Sequence, residues 1–238
     1  MRSAARSART RPLGASHGVA ATCSSPATNA LAFSTRAETT AQNAADVRDL
    51  LRTRLSLTDA EVDKVERHGP RGARSTIEPK LDWLQRRLGL DAAQLGKMVV
   101  ALPALLSYSV ENNLAPKLDW LQMRLGLDDA GLRKMVLRLP SVLGLSIEDN
   151  IEPKLGYLER EIGLSRPELR EHVLRIPAIL AYSLDKRYRP RLEACLAAGV
   201  DVRRVLSYAT QTDETFCKCI GIEPGALEAI RKQSVLSV

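Results

Sequence analysis

Four basic residues recur along the chain, each directly after a proline, with a strict step of 37 residues. The prolines are Pro79, Pro116, Pro153 and Pro190, and the basic residues are Lys80, Lys117, Lys154 and Arg191. Proline is favoured in the first turn of a helix, where a cation opposes the helix dipole by a few tenths of a kcal/mol. The recurrence of an unfavourable charge favours a shared task, and a row of cations could bind successive phosphate groups. A local salt bridge to Glu78 or Glu152 is the alternative, although Ala115 and Arg189 fill that position in the other copies.

Two further groups of cations recur at equivalent positions of the predicted helices. The group near the end of the first helix is Arg86, Arg87, Arg124 and Arg160, and the group on the second helix is Arg133, Lys134, Arg138, Arg170 and Arg175. A solvated helix face is the alternative explanation for each group. Stacked helices lie about 8–10 Å apart, so a four-unit row would span about 30 Å, close to the roughly 34 Å of one duplex turn. Such a row would contact the phosphate backbone rather than the bases, and its affinity would fall steeply with salt.

The candidate nucleic-acid-binding residues are therefore drawn from these three sets. They are Lys80, Lys117, Lys154, Arg191, Arg87, Arg124, Lys134, Arg138 and Arg175. The sequence shows no glycine-rich phosphate loop, no metal-ligand cluster and no nucleophile beside a plausible base, so we expect no enzyme activity, metal or cofactor. Cys195, Cys217 and Cys219 are interpreted as small, mostly buried residues. The longest apolar runs, near MVVALPALL, are far shorter than the roughly 20 residues that cross a bilayer, so no membrane partner is expected.

The cations belong to a repeat whose clearest copy is IEPKLDWLQRRLG, starting at Ile77. A period of 20–50 residues indicates a helical array, and the step here is 37 residues. The first helix of each repeat is predicted to open at the proline and to close at a glycine, which suits a left-handed cap. These closing glycines are Gly89, Gly126, Gly163 and Gly199. Leu81, Leu84 and Leu88 share one face of this helix and are predicted core residues.

A second helix and a shorter third piece complete each predicted repeat. The second helix is predicted to begin after Asp91, Asp128, Ser165 and Asp201, and to stop before Pro103, Pro140 and Pro177. The third piece, PALLSYS in one copy, spans one or two turns and is followed by a short polar link such as VENN. Stacking such units buries a continuous core, so the predicted fold is an all-α solenoid of about 37-residue repeats.

The array is predicted to occupy residues 79–221, between an N-terminal half repeat (44–78) and a C-terminal capping helix (222–238). Thr58 and Glu61 form a capping box within the half repeat. Residues 1–43 are rich in Ala, Ser, Thr and Arg and are interpreted as an organelle transit peptide, with a disordered basic tail as the alternative. The net charge of +7 lies mostly in this segment, because residues 1–37 contain five arginines and no acidic residue.

Aromatic residues also recur at one position, as Trp83, Trp120 and Tyr157. The preferred interpretation is packing of one repeat on the next. The alternative is an exposed stacking surface, with Arg87 and Arg124 in cation–π contacts.

The motifs that separate the helices of each repeat are similar to those of a known family. The segments LPALLSYSVENNLAPKLDWLQMRLGL from Leu102 and LPSVLGLSIEDNIEPKLGYLEREIGL from Leu139 resemble the mitochondrial transcription termination factor (mTERF) family, as does TDETF at Thr212–Phe216. The resemblance covers about Leu57 to Gly221. It implies a superhelical half-doughnut with two α-helices and a short 3₁₀ helix per unit, and a basic concave groove that binds nucleic acid.

The function implied by this resemblance is regulation of transcription, including termination, or RNA processing. The expected protein is a monomer that binds double-stranded DNA or structured RNA in a mitochondrion or chloroplast, with the mitochondrion preferred. The alternative is a helical-repeat scaffold that binds proteins and no nucleic acid. It is favoured by the near-neutral charge of the chain beyond residue 37 and by a period close to those of HEAT and tetratricopeptide arrays.

Overall fold

The fold follows from a computed structural model that describes residues 42–69 and 73–236. Within these two ranges the chain forms α-helices, short 3₁₀ helices and π-helical turns, and no strand. The predicted transit peptide lies outside the described residues, apart from its last two positions, which begin the first helix. In the described part of the chain, no helix combines the length and apolar character needed to cross a membrane.

The α-helices are numbered in chain order. They are α1 (42–55), α2 (Asp59–His68), α3 (Arg74–Leu88), α4 (Ala92–Ala101), α5 (Ala115–Leu125), α6 (Asp129–Arg138), α7 (Glu152–Glu161), α8 (Arg166–Arg175), α9 (Arg189–Ala197), α10 (Arg204–Ser207), α11 (Asp213–Ile220) and α12 (Pro224–Leu236). The 3₁₀ helices are Pro103–Ser107, Pro140–Gly144 and Pro177–Leu180, and the π-helical turns are Val110–Leu114, Ile147–Ile151 and Leu184–Tyr188.

Each complete repeat contains a first α-helix, a second α-helix and a 3₁₀ helix, and a π-helical turn leads into the next repeat. Among the second helices, α2 packs on α4 and α6 packs on α8, while α4 contacts the 3₁₀ helix Pro140–Gly144 of the next repeat. First helices also contact the second helix of the following repeat, as α5 contacts α8. The predicted all-α helical-repeat solenoid is confirmed.

The predicted helix ends are also confirmed in the complete repeats. Gly89, Gly126 and Gly163 have φ angles of 60°, 61° and 70°, in the left-handed region that favours glycine. Asp91 and Asp128 cap the second helices by accepting backbone N–H groups, and Gln94 and Glu168 complete the predicted capping boxes. Local sequence signals therefore define where these helices stop and start.

The structure differs from the prediction at the start of the first helices. α3 begins at Arg74, so Pro79 lies inside it and the predicted boundary between residues 78 and 79 falls within a helix. In the later repeats the proline is the second residue of the helix, and the polar link ahead of it is a π-helical turn rather than a loop. In the π-helical turn, hydrogen bonds join residues five positions apart, as Leu114 N–H donates to Ser109 O. The turn thus changes the hydrogen-bond register just before Pro116, which has no N–H to donate.

The fourth repeat is shorter than predicted. Its second helix, α10, is a single turn, and it begins at Arg204 rather than directly after Asp201. The Asp201 carboxylate instead accepts the backbone N–H of Arg203. Two further helices, α11 and α12, follow this repeat, and α12 packs on α9.

The predicted core leucines of the first helix are buried, since Leu81, Leu84 and Leu88 are at most 2 % exposed. Trp83 and Trp120 are half-buried against the core, and Tyr157 is 6 % exposed.

Arg189 lies 5.3 Å from the centre of the Tyr157 ring. The alternative, in which Arg87 and Arg124 make cation–π contacts, has no counterpart among the described residues, where both guanidinium groups bond to carboxylates. Cys195 and Cys217 are buried as predicted, whereas Cys219 is exposed.

Candidate nucleic-acid interface

The basic residues that follow the prolines lie inside the protein rather than on its surface. Lys80, Lys117, Lys154 and Arg191 are 8 %, 7 %, 3 % and 0 % exposed. The Lys117 ammonium donates to the carbonyl oxygen of Leu143 at 2.7 Å, and the Lys154 ammonium donates to that of Leu180 at 2.6 Å. Lys80 donates to the carbonyl oxygen of Leu106 in the same way.

Each acceptor carbonyl belongs to the 3₁₀ helix of the same repeat and comes 26 residues after its lysine. The last carbonyls of a helix have no partner within the helix, so a buried cation there satisfies an acceptor and complements the helix dipole. The recurrence of the lysine therefore has a structural cause. This burial argues against the expectation that these residues bind successive phosphate groups, and their partners are carbonyl oxygens rather than Glu78 or Glu152.

Burial lowers the pKa of Lys80, Lys117 and Lys154, because the charged ammonium loses water. Nearby carboxylates oppose this effect at two sites, Glu111 at Lys80 and Glu148 at Lys117. The three buried ammonium groups are thus held by carbonyl oxygens, and the Lys154 ammonium also donates to Asn150 Oδ1 at 2.6 Å.

Arg191 performs the same task in the shortened fourth repeat, where no 3₁₀ helix follows the second helix. Its guanidinium donates to the carbonyl oxygens of Tyr208 at 2.7 Å and Gln211 at 2.8 Å, and to Asp213 Oδ1 at 2.7 Å. It also lies 4.7 Å from the centre of the Phe216 ring. The TDETF segment therefore supplies a carboxylate and an aromatic ring that enclose this arginine.

Two of the candidate arginines join consecutive first helices. Arg124, with a side chain 12 % exposed, donates to Glu152 Oε2 at 2.7 Å and to Glu159 Oε2 at 2.7 Å. These bonds raise the pKa of Arg124, the one to Glu159 most. Arg87 donates to Asp119 Oδ1 and Gln122 Oε1, each at 2.8 Å. Both cations are compensated within the array.

Sequence reasoning missed a third member of this series. Arg54 bonds to Asp82 across the preceding pair of helices, α1 and α3. It stands 33 residues before Arg87, the same offset that relates the half repeat to the first complete repeat. The offset of 33 residues, counted back from Arg87, therefore predicts Arg54 from the sequence.

The remaining candidates, Lys134, Arg138 and Arg175, are exposed on second helices. Lys134 and Arg138 are four residues apart in α6 and therefore share a face. Arg138 donates to the carbonyl oxygens of Leu174 at 3.2 Å and Arg175 at 3.0 Å, at the end of α8. These three cations remain accessible to an external anion.

Two more exposed lysines extend this surface toward the N-terminus. Lys97 lies 37 residues before Lys134, and Lys64 lies 33 residues before Lys97. All three therefore occupy equivalent positions in α2, α4 and α6. We call these three residues the second-helix lysine row. Across residues 42–69 and 73–236, no carboxylate lies within 4.0 Å of these three ammonium groups. Glu171 takes the same position on α8 and ends the row.

Comparison with known proteins agrees with the repeat architecture. The sequence model of the mTERF family matches residues 53–216, from the end of α1 into α11. No curated protein matches the chain. Members of this family are organellar, nucleic-acid-binding proteins and not enzymes. Because the match covers more than half of the sequence and spans the repeats, the chain belongs to the mTERF family.

Proposed function

We propose that this protein binds double-stranded nucleic acid in an organelle and thereby regulates transcription, including its termination, or RNA processing. The mitochondrion is the preferred compartment. The observation that carries the proposal is the second-helix lysine row, whose exposed ammonium groups lie at one register of α2, α4 and α6 with no carboxylate of the described ranges within 4.0 Å.

The row is suited to a phosphate backbone. Packed helices lie about 8–10 Å apart, so Lys64, Lys97 and Lys134 span about 20 Å, and Arg138 and Arg175 extend the charge toward α8. Lysine binds phosphate as a point charge and does not select a base. We therefore expect binding of duplex DNA or structured RNA with little sequence preference from these residues.

The other candidate cations support this surface indirectly in our proposal. Lys80, Lys117, Lys154 and Arg191 fix each repeat internally, while Arg87 and Arg124 fix the spacing of one repeat to the next. They would set the positions of the second helices without touching phosphate. Substitution of these residues would weaken nucleic-acid binding only to the extent that it destabilises the fold.

Anisotropy titrations of the full chain against duplex DNA, an RNA hairpin and single-stranded RNA, at several salt concentrations, test the proposal. For duplex DNA, each phosphate contact contributes about 0.9 to the slope of log K against log salt. We expect Lys97→Ala/Lys134→Ala to lower that slope by nearly 2 units. The matched control is Lys218→Ala/Lys232→Ala, which removes the same charge from exposed positions of α11 and α12.

An equal loss in both variants would show that net charge, and not the row, drives binding. Absence of binding to all three probes at low salt would overturn the proposal and favour the protein scaffold. If the chain binds one of these probes, a fluorescent fusion would identify the compartment. Crosslinking and sequencing of the bound nucleic acid would identify the target.

A further inference from the structure

A small surface cavity separates the C-terminal end of α5 from the first turns of α8. Its volume is about 140 Å³, and Arg124, Arg166, Arg170, Gly126 and Met123 contribute to its wall. No carboxylate lines it. Small-molecule sites usually have volumes of about 300–1,000 Å³, so this cavity suits a single small group rather than a whole cofactor.

Two of its three arginines are poorly compensated. Arg170 is exposed and makes one long hydrogen bond, 3.4 Å, to the carbonyl oxygen of Gly126. Arg166 is exposed, and none of the carboxylates in the described ranges lies within 4.0 Å of it. Arg124 is different, because Glu152 and Glu159 neutralise it.

Glu159 is the carboxylate whose charge acts on Arg166. Its pKa is lowered first by the hydrogen bond from Arg124, and less by the charges of Arg124, Arg166 and Arg160. Since both of its oxygens already accept from Arg124, it remains committed to that partner. The cavity thus keeps the charge of Arg166 and Arg170 available.

The equivalent residue is an acid with a local partner in α2 and α6, and Ala92 in α4. Asp129 stands 37 residues before Arg166 and lies 3.5 Å from Arg87, and Asp59 pairs with Arg52. An arginine at the first residue of α8 also opposes the helix dipole. The short-range ion pairs made by Asp59 and Asp129 thus have no counterpart at Arg166 in the described ranges.

We infer that this cavity binds one phosphate group, held by the guanidinium groups of Arg166 and Arg170. Arginine presents paired N–H donors that match phosphate oxygens. The inference rests on the proposed function for the source of the phosphate, which is the backbone of a bound nucleic acid. The site does not include the register of the second-helix lysine row, which Glu171 occupies on α8.

The first test compares Arg166→Gln/Arg170→Gln with Arg160→Gln/Arg204→Gln in the full chain. Arg160 and Arg204 are exposed arginines outside the cavity, so the two variants lose the same charge. We expect the salt slope for duplex DNA to fall by about 0.9, one phosphate contact, in the cavity variant only. Equal slopes in the two variants would overturn the inference.

The second test is calorimetric titration of each variant with inorganic pyrophosphate, which does not depend on nucleic-acid binding. Weak binding that disappears in the cavity variant and persists in the control would support the site. If the wild-type chain binds no duplex, the proposed function fails, and this titration alone decides the cavity. Absence of pyrophosphate binding in that case would overturn the inference. A third outcome concerns the source of the phosphate. If the wild-type chain bound adenosine monophosphate while the cavity variant bound duplex DNA as tightly as the wild-type chain, the assignment to a nucleic-acid backbone would be overturned.

Discussion

The ammonium group of Lys117 donates a hydrogen bond of 2.7 Å to the carbonyl oxygen of Leu143, which joins the start of α5 to the 3₁₀ helix 26 residues later. The same relationship links Lys154 to Leu180 at 2.6 Å. A residue that recurs in every repeat thus serves the inside of each repeat. Lys134, by contrast, is exposed on α6.

Replacement of Lys117 by methionine keeps the length of the side chain and removes the donor. The Leu143 carbonyl would then be buried without that partner, and a lost hydrogen bond of this kind costs about 1–3 kcal/mol. We expect Lys117→Met to lower the free energy of unfolding by that amount, measured by urea denaturation. The affinity of the folded fraction for duplex DNA should not change.

Lys134→Met is the matched comparison, because Lys134 is exposed on α6. We expect its unfolding free energy to stay within about 0.5 kcal/mol of wild type, while its DNA affinity falls. The reverse pattern, in which Lys117→Met weakens binding and leaves stability intact, would show that the post-proline lysines contact phosphate.

Arg191 anchors the C-terminal end of the array. Arg191→Met would remove the donors to Tyr208 and Gln211 and one partner of Asp213. Breaking a fully buried ion pair typically costs about 3–5 kcal/mol, and we expect at most the lower end because the Asp213 side chain is 41 % exposed and keeps Arg231 as a partner. Urea denaturation would measure the loss. Arg204→Ala, an exposed change nearby, is the control, and a similar small effect in both would contradict the anchoring role.

Glu168 makes stability depend on acidic pH. Hydrogen bonds from the Ser165 hydroxyl, the Ser165 backbone N–H and Arg203 lower its pKa to about 2, from an ordinary value of 4.5. A depressed carboxylate pKa stabilises the folded state above the unfolded value, and this contribution is lost as the pH falls from 4.5 toward 2. Glu168→Gln should therefore be less stable than wild type at pH 7, and the difference should shrink across that window.

Thermal unfolding between pH 7 and pH 2.5 would measure this difference. Glu171→Gln, an exposed change in the same helix, controls for the loss of a negative charge. A difference between wild type and Glu168→Gln that stays constant with pH would show that the hydrogen bonds to Glu168 do not depend on its ionisation.

Much of the fold was predictable because its signals are local. The spacing of Leu81, Leu84 and Leu88 predicts a buried helix face, and the cap formed by Asp91 and Gln94 depends on residues three positions apart. The period predicts the array. The one-turn α10 was not predicted, and the carbonyl groups of Tyr208 and Gln211 beyond its end accept from Arg191, 17 and 20 residues earlier in the chain.

The candidate functional surface could be identified only from the tertiary structure. The sequence by itself determined the repeat, its helices and the positions of the recurring cations. It did not determine which cations face water, because Lys117 and Lys134 differ in burial through contacts with residues far along the chain. Leu143 lies 26 residues beyond Lys117. Only folding brings that carbonyl within hydrogen-bond distance, and a buried ammonium needs such a partner to offset its loss of water.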